Sequence, residues 1–405
     1  DGVDVPNFDP GETTYIMNVE TKPADVAATP IDGAELAEEP ILTTHKAEIK
    51  VVAEGEENIY TVYFHYPSDV IPNANFTDWA PMAKYSSSNK PTYWTCAGDK
   101  VGNFSAGIGN PTDFSTTVSN QSTAGVGIVG LHTIKSGTIA GIGGSFPGMI
   151  TLGDMSVTPK NANGTTSSVS GGITFRNTPD EFKFDANPNS NDNISNWRVI
   201  FRIGNSSNLV ETLHTGNYDN KNTWQSISKT IQYGNTEVDM MNIVLNSAGS
   251  ENAKDVAEWA NQGTSVLWIK NLGLYYNNLL SAINVAGAPL SGFNSNVFEY
   301  EYVLDAENTI LPSISVVGQV QDQQHRIVWG EEVNGERIAT ISVMAEDGTI
   351  QNYQIKFVRP ASSNKQLKSI KINGVELEGF AADKYEYTYE MANLTRTMPN
   401  VEVVG

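Results

Sequence analysis

Apolar and polar residues alternate with a period of two over most of this chain, most clearly across 172–204, which reads as three β-strands joined by two polar loops. In the last strand Trp197, Val199, Phe201 and Ile203 fall on one face while Arg198 and Arg202 interrupt the other, the pattern of a strand with one side buried. Ile173 and Phe175 alternate before Thr178-Pro179 breaks the run, and Phe182 and Phe184 resume it around Lys183. Residues 223–233, 241–245 and 265–276 are further strand candidates. The one helix predicted is 250–260, with Ser250 as N-cap, Glu251 in the first turn and Trp259 anchoring it. Strand-rich throughout, 68–277 asks for two packed sheets, a jelly roll or a related sandwich.

The same alternation recurs on both sides of that segment. Residues 280–318 align without gaps onto 367–405, with Ile283/Ile370, Gly287/Gly374, Leu290/Leu377, Phe293/Phe380, Tyr300/Tyr387 and Pro312/Pro399 identical. The first copy continues through Ile338, Ile341 and Val343, turns at Glu346-Asp347-Gly348 and returns as Tyr353, Ile355 and Phe357, a hairpin by pattern. Residues 49–67 repeat that hairpin around Glu54-Gly55-Glu56, and Phe8 and Tyr15 stand where Phe293 and Tyr300 would. The expected organisation is all-β: a partial Ig-like or cadherin-like β-sandwich at 1–67, a jelly roll at 68–277, a complete Ig-like sandwich at 278–360 and a truncated copy at 365–405. The complementary deficits of the two partial copies raise strand exchange between them, within the chain or in trans.

At 405 residues the chain has room for two to four domains. It lacks an apolar run of the roughly 18 residues that a membrane span needs. It opens on polar Asp1-Gly2-Val3-Asp4 without a signal-peptide pattern, and the repeat suggests a segment of a longer array. Lys and Arg number 25 against 46 Asp and Glu, a net charge of −21, which argues against nucleic acid because phosphate binding needs clustered cations. The one cysteine, Cys96, excludes an internal disulfide and reads as a buried thiol.

Several motifs fail on context. Gly125-x-Gly127-x-x-Gly130 matches a dinucleotide fingerprint, but β-branched residues follow it where a helix should begin, so close-packed strand glycines are expected. Asp185, Asn187, Asn189, Asn191 and Asp192 offer oxygens at alternate positions, yet the sixth place lacks glycine and the twelfth is Asn196; a turn is expected there, with a weak cation site as the alternative. The five histidines are scattered without zinc spacing. Glu251, Asp255 and Glu258 read as a solvated helix face. Glu181, Asp185 and Asp78 could serve as a glycosidase pair only if two of them stood roughly 5 to 9.5 Å apart across a cleft.

Sugar binding asks for a partly exposed aromatic ring among amides, carboxylates or cations. Tyr85, Tyr93 and Trp94 lie in Ser/Asn/Lys-rich sequence, and Trp224 follows Tyr218-Asp219-Asn220-Lys221; these four are the candidate ligand-binding residues. Trp79, Trp197 and Trp268 stand in apolar runs and read as core.

Asn75-Phe76-Thr77-Asp78-Trp79, the block at 172–179, the strand at 197–204 and the close at 265–276 together resemble the carbohydrate metabolism domain family of bacterial surface proteins, over about the whole of 68–277. The resemblance implies a jelly roll similar to carbohydrate-binding modules, exported as part of an outer-membrane lipoprotein for polysaccharide utilisation, with an anchor upstream. It brings no catalytic motif. Related jelly rolls often hold a structural calcium on carboxylates of the last strand; Lys270-Asn271 stands where paired Asp would be expected, so no cofactor is expected. Noncatalytic glycan binding leads, with a glycoside hydrolase and a structural spacer or adhesin as alternatives.

Overall fold

The computed structural model describes residues 2–6, 8–100, 114–135, 145–159, 165–190, 196–219, 222–234, 236–247, 265–306, 310–320, 323–360, 365–391 and 397–404. The predicted helix with Glu251, Asp255, Glu258 and Trp259 lies outside them, as do Asn191 and Asp192. The described chain is almost entirely β, as its alternation predicts. It divides into two compact units, 1–282 with 316–326 and 342–351, and 283–315 with 327–341 and 352–405.

The first unit contains the sandwich. One six-stranded sheet runs in the order Ser145–Phe146, Val129–Lys135, Ser265–Tyr275, Glu181–Ser190, Gln225–Thr230, with Val118–Asn120 on the second strand. The other runs Asn208–Gly216, Trp197–Asn205, Met240–Asn246, Met149–Thr151, Thr95–Cys96, with Ile173–Thr174 against Met240–Asn246. Their inner faces meet in one core: Phe182, Phe184, Leu267 and Ile269 from the first sheet lie among Trp197, Phe201, Ile243 and Leu245 from the second, all but closed to solvent. Phe182 and Phe201 stack across the interface with centroids 5.0 Å apart. Each such side chain stabilises the fold by roughly 1.5–3 kcal/mol, which is why the alternation survives so clearly in the sequence. A second cluster, with Ala97, Phe114, Phe146, Met149, Met155, Ile200 and Val244, covers part of the outer face of the second sheet.

In the same unit Lys46–Ala53 and Glu56–His65 form the expected hairpin, turning at Glu54 and Gly55, both at positive φ as a type I′ turn requires. Thr14–Asn18 joins Glu56–His65 in parallel. In the second unit Glu299–Val303 pairs in parallel with the strand at 350–358 in the matching way. The ring alignment read from the sequence is present three times. Phe8/Tyr15, Phe293/Tyr300 and Phe380/Tyr387 stack at 5.4, 5.8 and 5.9 Å, and each tyrosine hydroxyl donates to the carbonyl of the residue after its phenylalanine, Asp9, Asn294 and Ala381. The same ring-and-carbonyl geometry thus occurs at all three places. Ser369–Ile372 of the last copy pairs with Val375–Glu376 and Val401–Val404.

One strand corrects the sequence reading. The loop expected from Asp185 onward is strand: Glu181–Ser190 keeps its ladder with Ser265–Tyr275 as far as Ser190 opposite Ser265. Asp185, Asn187 and Asn189 therefore stand at successive outward positions on a straight strand, about 7 Å apart, and do not wrap around an ion. Pro188 is tolerated because Asn222 N donates to its carbonyl from the side on which the Gln225–Thr230 ladder has already ended, at Ala186. The glycine motif meets its expectation only in part: Gly130 is a close-packed strand glycine and a Cβ on Gly127 would lie 1.8 Å from the Asn75 carbonyl oxygen, but Gly127 is outside a strand and Gly125 sits in an open turn with φ of 78°.

Candidate functional site

With Phe182, Phe184 and Ala186 turned into the core, the intervening residues Glu181, Lys183, Asp185 and Asn187 must face outward. Opposite them, Ser228 pairs with Lys183, Ser226 with Asp185 and, on the other flank, Lys270 with Asp185. The register then slips. Lys183 faces Gly273 but Asp185 faces Lys270, so one extra residue is inserted in the closing strand. Asn271, at φ 54°, is the residue in the left-handed conformation at that β-bulge. Asparagine tolerates this backbone better than most residues, and the bulge turns its amide onto the outer face, where Nδ2 donates to Asp185 Oδ2 at 2.7 Å. The slip also turns Tyr275 outward while Leu272 is kept inside.

These residues enclose a groove of about 570 Å³ lined by Ala74, Asn75, Lys183, Asp185, Ser226, Ser228, Asn271 and Tyr275 with three apolar neighbours. Its wall is a chain of polar contacts: Ser226 Oγ donates to Asp185 Oδ1 at 2.6 Å, Ser228 Oγ to Glu181 at 2.7 Å, and Lys183 Nζ lies 2.9 Å from the same carboxylate. Burial works against charge on Glu181, but the Ser228 and Lys183 contacts outweigh it and hold the carboxyl below its ordinary value. Tyr275 is 47% exposed, with Lys183 Nζ 4.1 Å from its ring centroid. Trp224 is 36% exposed, and Lys270 Nζ stands 4.2 Å from its ring. The arrangement can stack one ring and exchange hydrogen bonds with several hydroxyls at once.

Of the four residues picked from the sequence, Trp224 stands on this face. Trp94 does not, and the assignment is corrected: its side chain is wholly buried, tilted against Phe76 at 5.6 Å, with Nε1 donating to the Pro72 carbonyl. A residue sealed in the core cannot stack on a sugar, and its Ser/Asn-rich neighbours gave no sign of the Pro72–Phe76 segment folding over it. Tyr85 is half-buried against the core, its hydroxyl accepting from Phe114 N. Tyr93 is 72% exposed at φ 69°, apart from the groove lining. Trp268, read as core, is corrected too: it occupies an outward position of Ser265–Tyr275 and is only half-buried. Lys183, Asn187, Ser226, Ser228, Asn271 and Tyr275 were missed. The unbroken polar series Glu181, Lys183, Asp185, Asn187 was their one sequence signal.

No family model matches the sequence, and no curated protein is similar to it. Among the solved structures similar to it are two of carbohydrate-binding modules. One, of carbohydrate-binding modules from the β-sandwich superfamily, is matched over 56% of this chain and 72% of its own, at 11% identity and a TM-score of 0.23. The other, a carbohydrate-binding module in complex with GlcNAc with INT domains from Clostridium perfringens ZmpB, is matched over 59% of this chain and 41% of its own, at 9% identity and a TM-score of 0.14. The chain thus spans under half of that second structure. Scores this low add nothing to the fold, which stands on the strand pairing above.

Among the described residues no three His, Cys, Asp or Glu are grouped to hold a metal ion, and no helix is long and apolar enough to cross a membrane. Cys96 is buried, and its thiol is pushed up to about 11 by desolvation.

Proposed function

We propose that the groove on the outer face of the Glu181–Ser190 sheet binds carbohydrate without cleaving it, and that the chain presents this module at a bacterial cell surface on its flanking sandwiches. The observation behind it is the half-exposed Tyr275 ring set among Lys183, Asp185, Asn271, Ser226 and Ser228. A sugar offers an apolar C–H face to an aromatic ring and a rim of hydroxyls to amides and carboxylates, and this wall supplies both.

Hydrolysis fits less well. Glu181 and Asp185 are four residues apart on one strand, roughly 13 Å, which exceeds the separations either glycosidase geometry uses. Glu181 is held ionised, whereas a general acid needs its proton near neutrality. Surface display follows the family resemblance of 68–277 and the repeated sandwiches. A glycan array followed by calorimetric titration of wild type, Tyr275→Ala and Trp224→Ala tests the reading. Binding lost in Tyr275→Ala with unchanged melting supports it; an array without a hit removes it.

A further inference from the structure

The outer face does not end at the groove. The next rung along Glu181–Ser190 is Asn187, which lies opposite Trp268 on one side, while Trp224 precedes the last paired residue, Gln225 opposite Ala186, on the other. Two indoles therefore flank one amide, Trp268 from the closing strand and Trp224 from the residue just before Gln225–Thr230. Asn187 is 4% exposed, and its Oδ1 has no hydrogen-bond partner; Trp268 Nε1, buried as an atom, has none either. Leaving a buried polar atom unsatisfied costs about 1–3 kcal/mol, so an orphaned acceptor and an orphaned donor at paired positions mark something missing. A hydroxyl, whether of a water or of a sugar, donates one hydrogen bond and accepts another and so satisfies both at once.

We infer that Trp224, Asn187 and Trp268 form a second sugar subsite on the same face as the groove, in which one ligand hydroxyl donates to Asn187 Oδ1 and accepts from Trp268 Nε1. This rests on the glycan-binding reading and narrows it to glycan chains several sugars long, because a ligand reaching both Tyr275 and Asn187 crosses three further rungs of the sheet, about 20 Å. Trp224 is the solvent-facing member of the row, its ring held by the Lys270 ammonium, so the ligand enters past it. Beyond Trp268 the row is closed at Gly130, where Ser119, Gln121 and His132 crowd within 3.2 Å of a would-be Cβ.

The test titrates the full chain with cellohexaose, xylohexaose, mannohexaose, laminarihexaose and chitohexaose and with the matching disaccharides. At least one hexasaccharide should bind ten or more times tighter than its disaccharide, about the gain that one added subsite contributes. Asn187→Leu and Trp268→Phe should each weaken the hexasaccharide about five- to tenfold, one hydrogen bond's worth, and leave the disaccharide unchanged. Trp268→Phe keeps the ring and guards against misfolding. Asn187→Leu should raise the melting temperature of the free protein, since it removes an unsatisfied group. In nitrogen-edited spectra, the indole signal that Trp268→Phe deletes should shift on hexasaccharide binding. If Tyr275→Ala abolishes binding while Asn187→Leu and Trp268→Phe change neither affinity nor melting, a resident water fills the site; the subsite falls and the groove stands. If the row variants lose binding and Tyr275→Ala does not, the groove falls. A chain that binds none of these sugars and nothing on the array overturns both.

Discussion

Two aromatic residues separate packing from recognition in this chain. Trp94 is fully buried with its indole N–H satisfied, so Trp94→Ala opens a cavity and forfeits a hydrogen bond. It should cost about 3–5 kcal/mol, read as a fall in denaturant midpoint at constant slope. Tyr275 keeps half its surface in water, and among the described residues its one ring contact is the Lys183 ammonium, so Tyr275→Ala should stay within about 0.5 kcal/mol of wild type and lose its glycan instead. If the two variants exchanged phenotypes, the face assignment would be wrong. Arg176 marks a third kind of role. Its guanidinium grips Asp69 through Nε at 2.9 Å and an N–H at 2.8 Å, and lies 3.8 Å over the Tyr66 ring. Lysine cannot reproduce that planar fork, so Arg176→Lys should lower the melting temperature and leave the groove's affinity alone.

At the level of elements, the bulge in Ser265–Tyr275 shows how local backbone shapes the groove. Asn271→Gly suits a φ of 54° but deletes the amide that holds Asp185, so it should melt near wild type and bind glycan several-fold more weakly. Asn271→Val should destabilise by about 1–3 kcal/mol, since a β-branched residue is strained there. Calorimetry on both variants separates the two effects, and equal melting would show that the bulge is not what positions Asn271. The same strands mark how far the sequence could be read. Period-two burial made the sandwich legible from Trp197, Phe201 and Phe182, and the glycine of the repeat was legible as a turn, where Gly287 and Gly374 take φ near 80° behind Ala286 and Asn373. The strand at Glu181–Ser190 was only half legible. Asp-Ala-Asn-Pro-Asn has turn composition, and only the neighbouring ladder, formed with residues some 80 positions away, overrides it. The groove depends on that same long-range register, so Tyr275 could not be placed beside Lys183 from spacing alone. Trp94 misled for the converse reason, since polar neighbours along the chain are not neighbours in space.

On the scale of the whole first unit, its parts are joined by an amide, an exposed carboxylate and a carboxyl shut away from water. Tyr66 N and its carbonyl both bond the Asn177 side chain, Thr44 N donates to Glu237, and Thr178 donates to Glu346 through its backbone N–H and its hydroxyl. Burial pushes Glu346 up to about 7 against the lowering effect of Thr178, with Asp180 and Asp347 adding to the rise, and burial likewise pushes Asp180 up to about 6. For a carboxyl raised in the folded state the sign is opposite to that of a salt-bridged one. Between its ordinary value of 4.5 and about 7, the folded chain keeps on Glu346 a proton that the unfolded chain has released. Stability therefore falls as pH rises through that window and levels off above it; Asp180 acts in the same sense from 3.8 to about 6. Glu346→Gln carries the neutral shape at every pH and still accepts from Thr178. It should melt close to wild type near pH 4.5 and be the more stable of the two at pH 8, by about 3 kcal/mol, with the difference opening across the window. Because the histidines lowered by burial, among them His65 and His214, contribute equally to both proteins, they cancel in the comparison. Parallel melting curves at every pH would mean that Glu346 is charged when folded, and that the junction is held by an ion rather than by a shared proton.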